Sequence, residues 1–282
     1  MSVPFAEVIG DPIAHSKSPL IHRFWLEKLG RTGEYRGTRV RKEELADYLQ
    51  ARRNDPDWRG CNVTLPHKRP ALLEMARLSP EAERIGAVNL VTREETGLIG
   101  HNSDGQGFLE PLQTVLAQSH LFRMARIFGA GGAARAVAHA LADHGFTLVV
   151  ASRDPAAADA LLAGIGREHH AVSLSHFAEP TDFAFDDRQG ILDLVVNATP
   201  LGMAGSPPLP LHWSHVPPGA IVYDLVYTPL ETALLRAARQ QGHRTVDGLA
   251  MLIGQAAVAF ELFFGQPAPR QYDGELRALL TA

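Results

Sequence analysis

The sequence predicts an α/β protein that contains a parallel β-sheet, and three observations lead to this fold class. In the second half of the chain, apolar segments of strand length alternate with segments of helical periodicity. The apolar segments are continuous, which is typical of parallel strands that are covered on both faces. One of these segments runs into a glycine-rich turn that opens a helix, as in a βαβ unit.

The first part of the chain predicts its own set of strands and helices. Ser18-Pro19 is a typical helix start, and Gly30 is a typical helix end. Pro66 suits the first turn of another helix, and a loop that ends in Gly97 is typical of a hairpin. The predicted strands are residues 3–10, 60–65, 87–92 and 98–101, and the predicted helices are 18–30, 42–53 and one from Pro66 that carries Leu72, Leu73 and Met75.

The remainder of the chain predicts a linking helix, a βαβ series and a last, apolar helix. The linking helix covers residues 107–118. The series has strands at 126–128, 146–152, 191–197 and 221–225, helices at 133–144, 155–162 and 232–241, and loops at 182–190 and 204–218. Residues 247–265 have hardly any polar face, which predicts a helix buried nearly all round. Gln255 is its exception, and a buried amide must bind either backbone or a ligand.

The glycine-rich turn follows the G-x-G-x-x-A order of dinucleotide-binding units. Gly129 allows the tight turn, and Gly131 lets backbone N–H groups approach a pyrophosphate at the positive end of a helix. The alternative is a glycine-rich turn in some other α/β protein. A second buried strand, at residues 147–152, favours the nucleotide. The expected contacts of this turn are Gly129, Ala130, Gly131, Gly132 and Ala133.

Composition excludes several other classes of protein. The 282 residues include 45% hydrophobic and 21% charged residues with a net charge of −4, which argues against disorder, a membrane surface or nucleic acid as partner. No signal peptide or membrane-spanning segment is expected, and no metal site is predicted. Cys61 is the single cysteine, which excludes internal disulfides and fits a cytoplasmic protein. Small molecules are therefore the expected partners.

Some residues carry both a structural and a functional interpretation. Ser16 and Ser18 precede a helix, where a hydroxyl either caps the helix or helps to bind a carboxylate. Lys68 is expected near a helix start, where a basic side chain is out of place unless it is solvated or has a partner. Residues 102–105 suit a turn and a helix cap without any function.

Together the motifs resemble the shikimate dehydrogenase family over nearly the whole chain. In order they read GDPIAHSKSP, GCNVTLPHK, GAVN, HNSDGQGF, GAGGAAR, NATPLGM, YDLVYTPLETALL and DGLAMLIGQ. The resemblance implies a substrate domain at residues 1–105 and a Rossmann-type dinucleotide domain at 106–246. It also implies a C-terminal helical segment, 247–282, that returns to the substrate domain. Two departures are Ser103, where the family usually has Thr, and Leu90, where Thr is common after G-A-V-N.

The same resemblance implies the site residues. Lys68 and Asp104 correspond to the catalytic pair, which fits the removal of a hydroxyl proton during hydride transfer. Ser16, Ser18 and Tyr227 are expected to bind the substrate carboxylate. The ring hydroxyls are expected to bind Asn62, Thr64, Asn89, Asp104 and Gln255. Besides the glycine turn, the cofactor is expected to contact Ser152, Arg153, Thr199, Leu225 and Gly248.

The implied reaction is the NADP-dependent interconversion of 3-dehydroshikimate and shikimate, a step of aromatic amino acid biosynthesis. Ser152 and Arg153 follow the second strand, where NADP enzymes bind the 2′-phosphate, so NAD is expected to be the weaker cofactor. Asp154 is expected to cap the next helix. The alternatives are a quinate dehydrogenase, a nucleotide-responsive regulator without turnover, and a tetrahydrofolate or amino-acid dehydrogenase. The chain is expected to be a monomer or homodimer.

Overall fold

A computed structural model of the chain describes residues 3–166, 168–185 and 188–282. Two residues of the predicted loop 182–190, Asp186 and Asp187, therefore lie outside the described residues, as do Met1 and Ser2. The chain divides into two units, each with its own six-stranded sheet. The first unit comprises Met1–Gly107 and Leu252–Ala282, and the second unit comprises Phe108–Met251.

The first unit contains a mixed sheet with the order β2-β1-β3-β5-β6-β4. Its strands are β1 (Phe5–Gly10), β2 (Glu34–Arg39), β3 (Trp58–Val63), β4 (Arg77–Leu78), β5 (Leu90–Glu94) and β6 (Gly97–His101). Its helices are α1 (Ser18–Lys28), α2 (Leu45–Arg53), α3 (Pro80–Ile85) and α4 (Asp104–Leu109). The central β1 pairs in parallel with β2 and β3, whereas β5 runs antiparallel to β3 and β6. The predicted hairpin is therefore confirmed, with Glu95 and Thr96 as its turn.

The helix predicted from Pro66 is wrong. Pro66 follows a cis peptide bond in a turn, and the helical residues that come next form a short 3₁₀-helix, Pro70–Glu74. A helix that began at Pro66 would need an N–H at residue 70, where proline has none and its ring would clash with the carbonyl of residue 66. Leu73, which was expected to be on the buried face, is 87% exposed.

The second unit contains a sheet in which every strand pair is parallel. Its strands are β7 (Phe122–Phe128), β8 (Thr147–Ser152), β9 (His170–Ser173), β10 (Ile191–Asn197), β11 (Ile221–Asp224) and β12 (Arg244–Val246). Its helices are α5 (Gln113–Leu116), α6 (Gly132–Asp143), α7 (Pro155–Leu162) and α8 (Ala233–Gln240). The order β12-β11-β10-β7-β8-β9 is the doubly wound arrangement, with the reversal of strand order between β7 and β10. Ligands of such sheets bind at the carboxyl ends of the strands beside this reversal.

Two predicted elements differ from the observed ones for reasons of backbone chemistry. The linking helix 107–118 is divided into α4, a 3₁₀ turn and α5, because Pro111 cannot donate a helical hydrogen bond. The strand predicted at 87–92 begins only at Leu90. Before it, Gly86 ends α3 with a φ of 68°, and the N–H groups of Val88 and Asn89 bind the carbonyls of Lys68 and His101. Residues 87–89 thus form a connection beside Lys68.

The last part of the chain consists of α9 (Gly248–Phe264) and α10 (Asp273–Thr281). As predicted, α9 is mainly apolar, and Phe260 and Phe263 are buried. Phe263 and Ala259 pack in one apolar cluster with Ala6 of β1 and Tyr35 of β2. Within the described ranges, the structure has no helix of the length and apolarity that a bilayer crossing requires.

Candidate active site

Lys68 and Asp104 form a buried ion pair in the first unit. Lys68 lies two residues before the 3₁₀-helix, and Asp104 is the first residue of α4. The ammonium Nζ donates to Oδ2 of Asp104 over 2.5 Å. The side chains are 15% and 4% exposed, respectively, so the pair is screened from solvent on most sides. A partner for Lys68, which sequence reasoning required, is therefore present.

Backbone and amide contacts hold both members of this pair. The N–H of Val88 donates to the Lys68 carbonyl over 2.7 Å. Nδ2 of Asn89 donates to the other carboxylate oxygen of Asp104, Oδ1, over 2.9 Å. Oδ1 of Asn102 accepts from the N–H of Asp104 over 3.0 Å, so part of the 102–105 segment has the turn role proposed for it. Each carboxylate oxygen thus has a donor.

Asn89 connects the ion pair to α9 through Ser103. Its Oδ1 accepts from the N–H of Ser103 over 2.8 Å, and its Nδ2 also reaches the Ser103 hydroxyl. That hydroxyl donates to the backbone carbonyl of Gln255 over 3.3 Å. Nε2 of Gln255 donates to the carbonyl of Leu252. Of the two partners expected for this amide, backbone or a ligand, the structure thus shows a backbone partner for Nε2. The Ser103 hydroxyl therefore serves a structural purpose here.

Asn62 at the end of β3 extends the same network. Its Nδ2 donates to the Asn89 carbonyl over 3.3 Å, and its Oδ1 accepts from the Tyr35 hydroxyl over 2.6 Å. Thr64 follows β3, and its methyl group would be 2.5 Å from a Cβ at Gly10, so β1 must end in glycine at this point. Asn62, Asn89, Lys68 and Asp104 are thus joined by one series of hydrogen bonds, as the predicted substrate site requires.

The capping role considered for Ser18 is wrong. Lys17 is the N-cap residue of α1, and Ser18 is already helical, where its hydroxyl cannot reach an N–H of the following turn as a cap does. Ser16 Oγ instead accepts from the Ser18 N–H over 3.3 Å. The Ser18 side chain is buried. Lys17 Nζ donates to the carbonyl of Leu280, in α10.

The second unit carries the glycine turn at the carboxyl end of β7. Gly129 has a φ of 111°, and a Cβ there would be 3.1 Å from the Ala198 carbonyl oxygen that follows β10. A Cβ at Gly131, in contrast, would meet no described atom within 4 Å. Gly131 is the N-cap of α6, and no described side chain caps or adds negative charge to the first turn of this helix. The positive helix end is thus open to an anion.

The end of β8 carries the residues predicted for the 2′-phosphate. Ser152 is half-buried and Arg153 is exposed. Oδ1 of Asp154 accepts from the N–H of Ala156 over 3.1 Å, so its predicted role as the cap of α7 is confirmed. The aspartate is therefore committed to the helix and differs from the acidic residue that would bind the ribose of NAD.

The remaining predicted contacts follow β10 and β11. Asn197 Oδ1 accepts from both the N–H and the hydroxyl of Thr199, over 3.1 and 2.6 Å. A Cβ at Gly248 would be 2.2 Å from the Leu225 carbonyl oxygen, so only glycine permits this approach of α9. Tyr227 is half-buried, and this burial raises the pKa of its phenol and keeps it protonated. These five residues all belong to the second unit.

Sequence reasoning missed Asp224, which holds these loops together. Its carboxylate is fully buried at the end of β11 and accepts from Thr232 Oγ1 over 2.6 Å and from Asn197 Nδ2 over 2.9 Å. Burial raises the pKa of Asp224, and its hydrogen bonds oppose that effect. The signal was a carboxylate at the end of an apolar strand, within the motif YDLVY.

Comparisons with known proteins agree with these features. Residues 8–91 match the shikimate dehydrogenase substrate binding domain, and residues 248–272 match the Shikimate 5'-dehydrogenase C-terminal domain. The shikimate dehydrogenase (NADP(+)) of Sphingopyxis alaskensis is 50% identical over 99% of this chain and 97% of its own length. Shikimate 5-dehydrogenase of Thermus thermophilus, solved with NADP(H) and shikimate, is 38% identical with a TM-score of 0.83, over 98% and 99% of the two chains. Quinate dehydrogenase of Corynebacterium glutamicum, solved with NAD, is 32% identical with a TM-score of 0.81, over 98% and 99%.

A parallel sheet with a dinucleotide-type glycine turn, in a chain that also has a buried lysine–carboxylate pair, defines a nicotinamide-dependent oxidoreductase. The 50% identity over nearly the full length then specifies which one. The chain belongs to the shikimate dehydrogenase family, and the resemblance seen in its motifs is confirmed.

Proposed function

We propose that the protein catalyses the reversible, NADP-dependent reduction of 3-dehydroshikimate to shikimate. The observation that carries this proposal is the buried pair of Lys68 and Asp104, held by Asn89. A secondary alcohol is oxidised when its hydroxyl proton and a hydride leave, so the reaction needs a group that handles the proton. The relative from Sphingopyxis alaskensis is named for this activity, and the Thermus thermophilus structure contains both shikimate and NADP(H).

Lys68 and Asp104 act on the proton. In the reduction, the Lys68 ammonium gives a proton to the carbonyl oxygen as the hydride arrives, and becomes the neutral amine. In the oxidation, this neutral amine receives the proton of the reacting ring hydroxyl and becomes the ammonium again. Asp104 orients the amine through Oδ2, and its ionised form stabilises the ammonium. NADP supplies or accepts the hydride when it is bound.

The other polar residues of the first unit orient the substrate. Asn62, Thr64, Asn89 and Gln255 bind ring hydroxyls, for which amide and hydroxyl groups are suitable donors and acceptors. Ser16 and Ser18 bind the carboxylate, and Tyr227 of the second unit is a further carboxylate ligand in this proposal. The burial of Ser18 beside Ser16, whose Oγ accepts from the Ser18 N–H, supports this role. The protonated phenol of Tyr227 suits an anion as well.

The second unit provides contacts that fit NADP. A Cβ at Gly131 would meet no described atom within 4 Å, so the space beside this residue is open. No described side chain caps the start of α6, and both features fit a pyrophosphate. Gly129, Ala130, Gly132, Ala133, Thr199, Leu225 and Gly248 complete this surface. Ser152 and Arg153 are assigned to the 2′-phosphate, since Asp154 is occupied as a helix cap.

The cellular setting belongs to the same proposal. The enzyme acts in the cytoplasm on small molecules and not on nucleic acid, as a monomer or homodimer. The net charge of −4 and the buried, reduced Cys61 support this setting.

Initial rates with shikimate and quinate, each with NADP and with NAD, test the function. The highest kcat/KM is expected for shikimate with NADP. A preference for quinate would instead support the activity for which the Corynebacterium glutamicum relative is named. Absence of turnover with all four pairs at saturating concentration, together with binding of NADP, would contradict an enzymatic role and favour a nucleotide-responsive regulator.

A further inference from the structure

Tyr35 contacts the substrate half of the site although no motif includes it. It lies on the edge strand β2, where it is the one buried residue among exposed and half-buried neighbours. Its hydroxyl donates to Oδ1 of Asn62 over 2.6 Å, and both side chains are buried. The role of this contact depends on which end of the Asn62 amide it selects.

An asparagine side chain has an acceptor end and a donor end of nearly equal shape. The Tyr35 hydroxyl attracts the oxygen end, because burial raises the pKa of the phenol and keeps its proton in place. On the other side, the Asn89 carbonyl accepts from Nδ2 over 3.3 Å and would repel an oxygen. Both contacts select the same orientation, which leaves the second N–H of Asn62 for a ligand.

The Tyr35 ring is itself held in place by stacking. The ring of His22 from α1 lies parallel to it, with 3.9 Å between the centroids and 2° between the planes. The ring of Phe263 from α9 also contacts Tyr35, with 6.2 Å between the two ring centroids. Three elements of the first unit therefore fix the position of one hydroxyl.

We propose that Tyr35 is a positioning residue that orients the Asn62 amide so that its free N–H points to a ring hydroxyl of the substrate. The inference rests on the proposed function and deepens it. Tyr35 acts through Asn62 and has no assigned contact with the substrate. Loss of its hydroxyl should allow the amide to rotate and should weaken substrate binding more than it slows hydride transfer.

Tyr35→Phe tests this role, with Tyr48→Phe as the matched control. Tyr35→Phe is expected to raise KM for shikimate on the order of 5- to 10-fold, as for one hydrogen bond, and to leave KM for NADP unchanged. Tyr48 also donates a phenol hydroxyl in the first unit, over 2.6 Å to Oε2 of Glu7, and this half-buried contact does not include Asn62. Tyr48→Phe is expected to lower Tm and to leave KM for shikimate as in the wild type.

A double-mutant cycle separates positioning from a merely structural role. Asn62→Ala alone should raise KM for shikimate, and Tyr35→Phe should add no further increase in that background. Multiplicative increases would overturn the inference. Should Tyr35→Phe fail to fold, 4-aminophenylalanine at residue 35 keeps both the ring and a donor, and KM for shikimate within twofold of the wild type is expected.

The outcomes distinguish this inference from the proposed function. An active wild type in which Tyr35→Phe keeps the wild-type KM, or in which 4-aminophenylalanine raises KM more than twofold, overturns the role of Tyr35 alone. A wild type that does not oxidise shikimate overturns the proposed function, and the inference with it.

Discussion

At the scale of single residues, the buried pair of Lys68 and Asp104 leads to the sharpest prediction. Lys68→Ala should lower kcat by roughly 10²- to 10⁴-fold, with a smaller effect on substrate affinity, because a placed proton-transfer group acts mainly in the transition state. Asp104→Asn should also reduce kcat, and the double variant should lose less than the product of the single losses.

Lys28→Ala is the matched control for this measurement. Lys28 also forms an ion pair of 2.5 Å, with Glu275, but the two side chains are 29% and 59% exposed. Exposed ion pairs contribute little to stability, so the Lys28→Ala variant should remain folded. Its steady-state rates should therefore stay at the wild-type level. A Lys68→Ala variant that turned over as fast as Lys28→Ala would remove Lys68 from the chemistry.

His22 predicts a pH dependence of stability. Burial among aromatic rings lowers its pKa from 6.5 to about 3, and its two ring nitrogens have no partner among the described residues. Below pH 6.5 the unfolded chain binds a proton that the folded chain does not, so stability is complete above this pH and decreases as pH falls toward 3. From about pH 7 to about pH 5 this loss is about 2 kcal/mol.

His22→Phe tests the effect by urea unfolding at both pH values. Phenylalanine keeps a stacking ring without the titrating group, so the variant should lack this part of the decrease. Equal pH dependence in the two proteins would show that another group is responsible.

Arg153 predicts the choice between cofactors. A guanidinium bound to the 2′-phosphate contributes about 1.5 to 3 kcal/mol, which corresponds to a preference for NADP of roughly 10- to 100-fold in kcat/KM. Arg153→Ala should remove most of this preference and leave the rate with NAD nearly unchanged. Arg236, which is also exposed in the second unit and pairs with Glu231, provides the control. Retention of the NADP preference by Arg153→Ala would assign the phosphate to another residue.

At the scale of elements, Gly248 determines where α9 can begin. An alanine there would place its Cβ 2.2 Å from the Leu225 carbonyl oxygen, and backbone cannot move as a flexible side chain does. Gly248→Ala should therefore lower Tm and raise KM for NADP. Gly274→Ala is the control in α10, because a Cβ there meets no described atom within 4 Å and should stabilise the helix by about 0.5–1 kcal/mol. Similar Tm values for the two variants would contradict the close approach.

The elements also show what a sequence pattern can predict. The buried strands and α9 were identified from continuous apolar runs, because burial on all sides leaves a compositional signal. The strands β2, β4, β9 and β12 were missed, since all of them lie at sheet edges and are short or polar. The sequence EYRGTR of β2 has a single buried side chain, which is too few for a period to be recognised.

At the scale of the whole molecule, the order of motifs along the chain predicted the family better than any one motif did. The motif residues Asn62, Lys68, Asn89 and Asp104 come from distant parts of the sequence, and the fold joins them by hydrogen bonds. Tyr35 was missed because its contribution is a contact made only after folding. A residue that acts through another residue, as Tyr35 does through Asn62, has no fixed spacing from it in the sequence.

The discontinuity of the first unit has a consequence for how the protein is made on the ribosome. Residues 1–107 emerge early, yet the rings of Phe260 and Phe263 that cover His22 and Tyr35 are synthesised only after the entire second unit. A fragment of residues 1–251, released from the ribosome, should therefore resist protease in its second unit and be cleaved in its first. Pulse proteolysis of this fragment would measure the difference. The surface that orients Asn62 is thus completed last, only after the whole second unit has been synthesised.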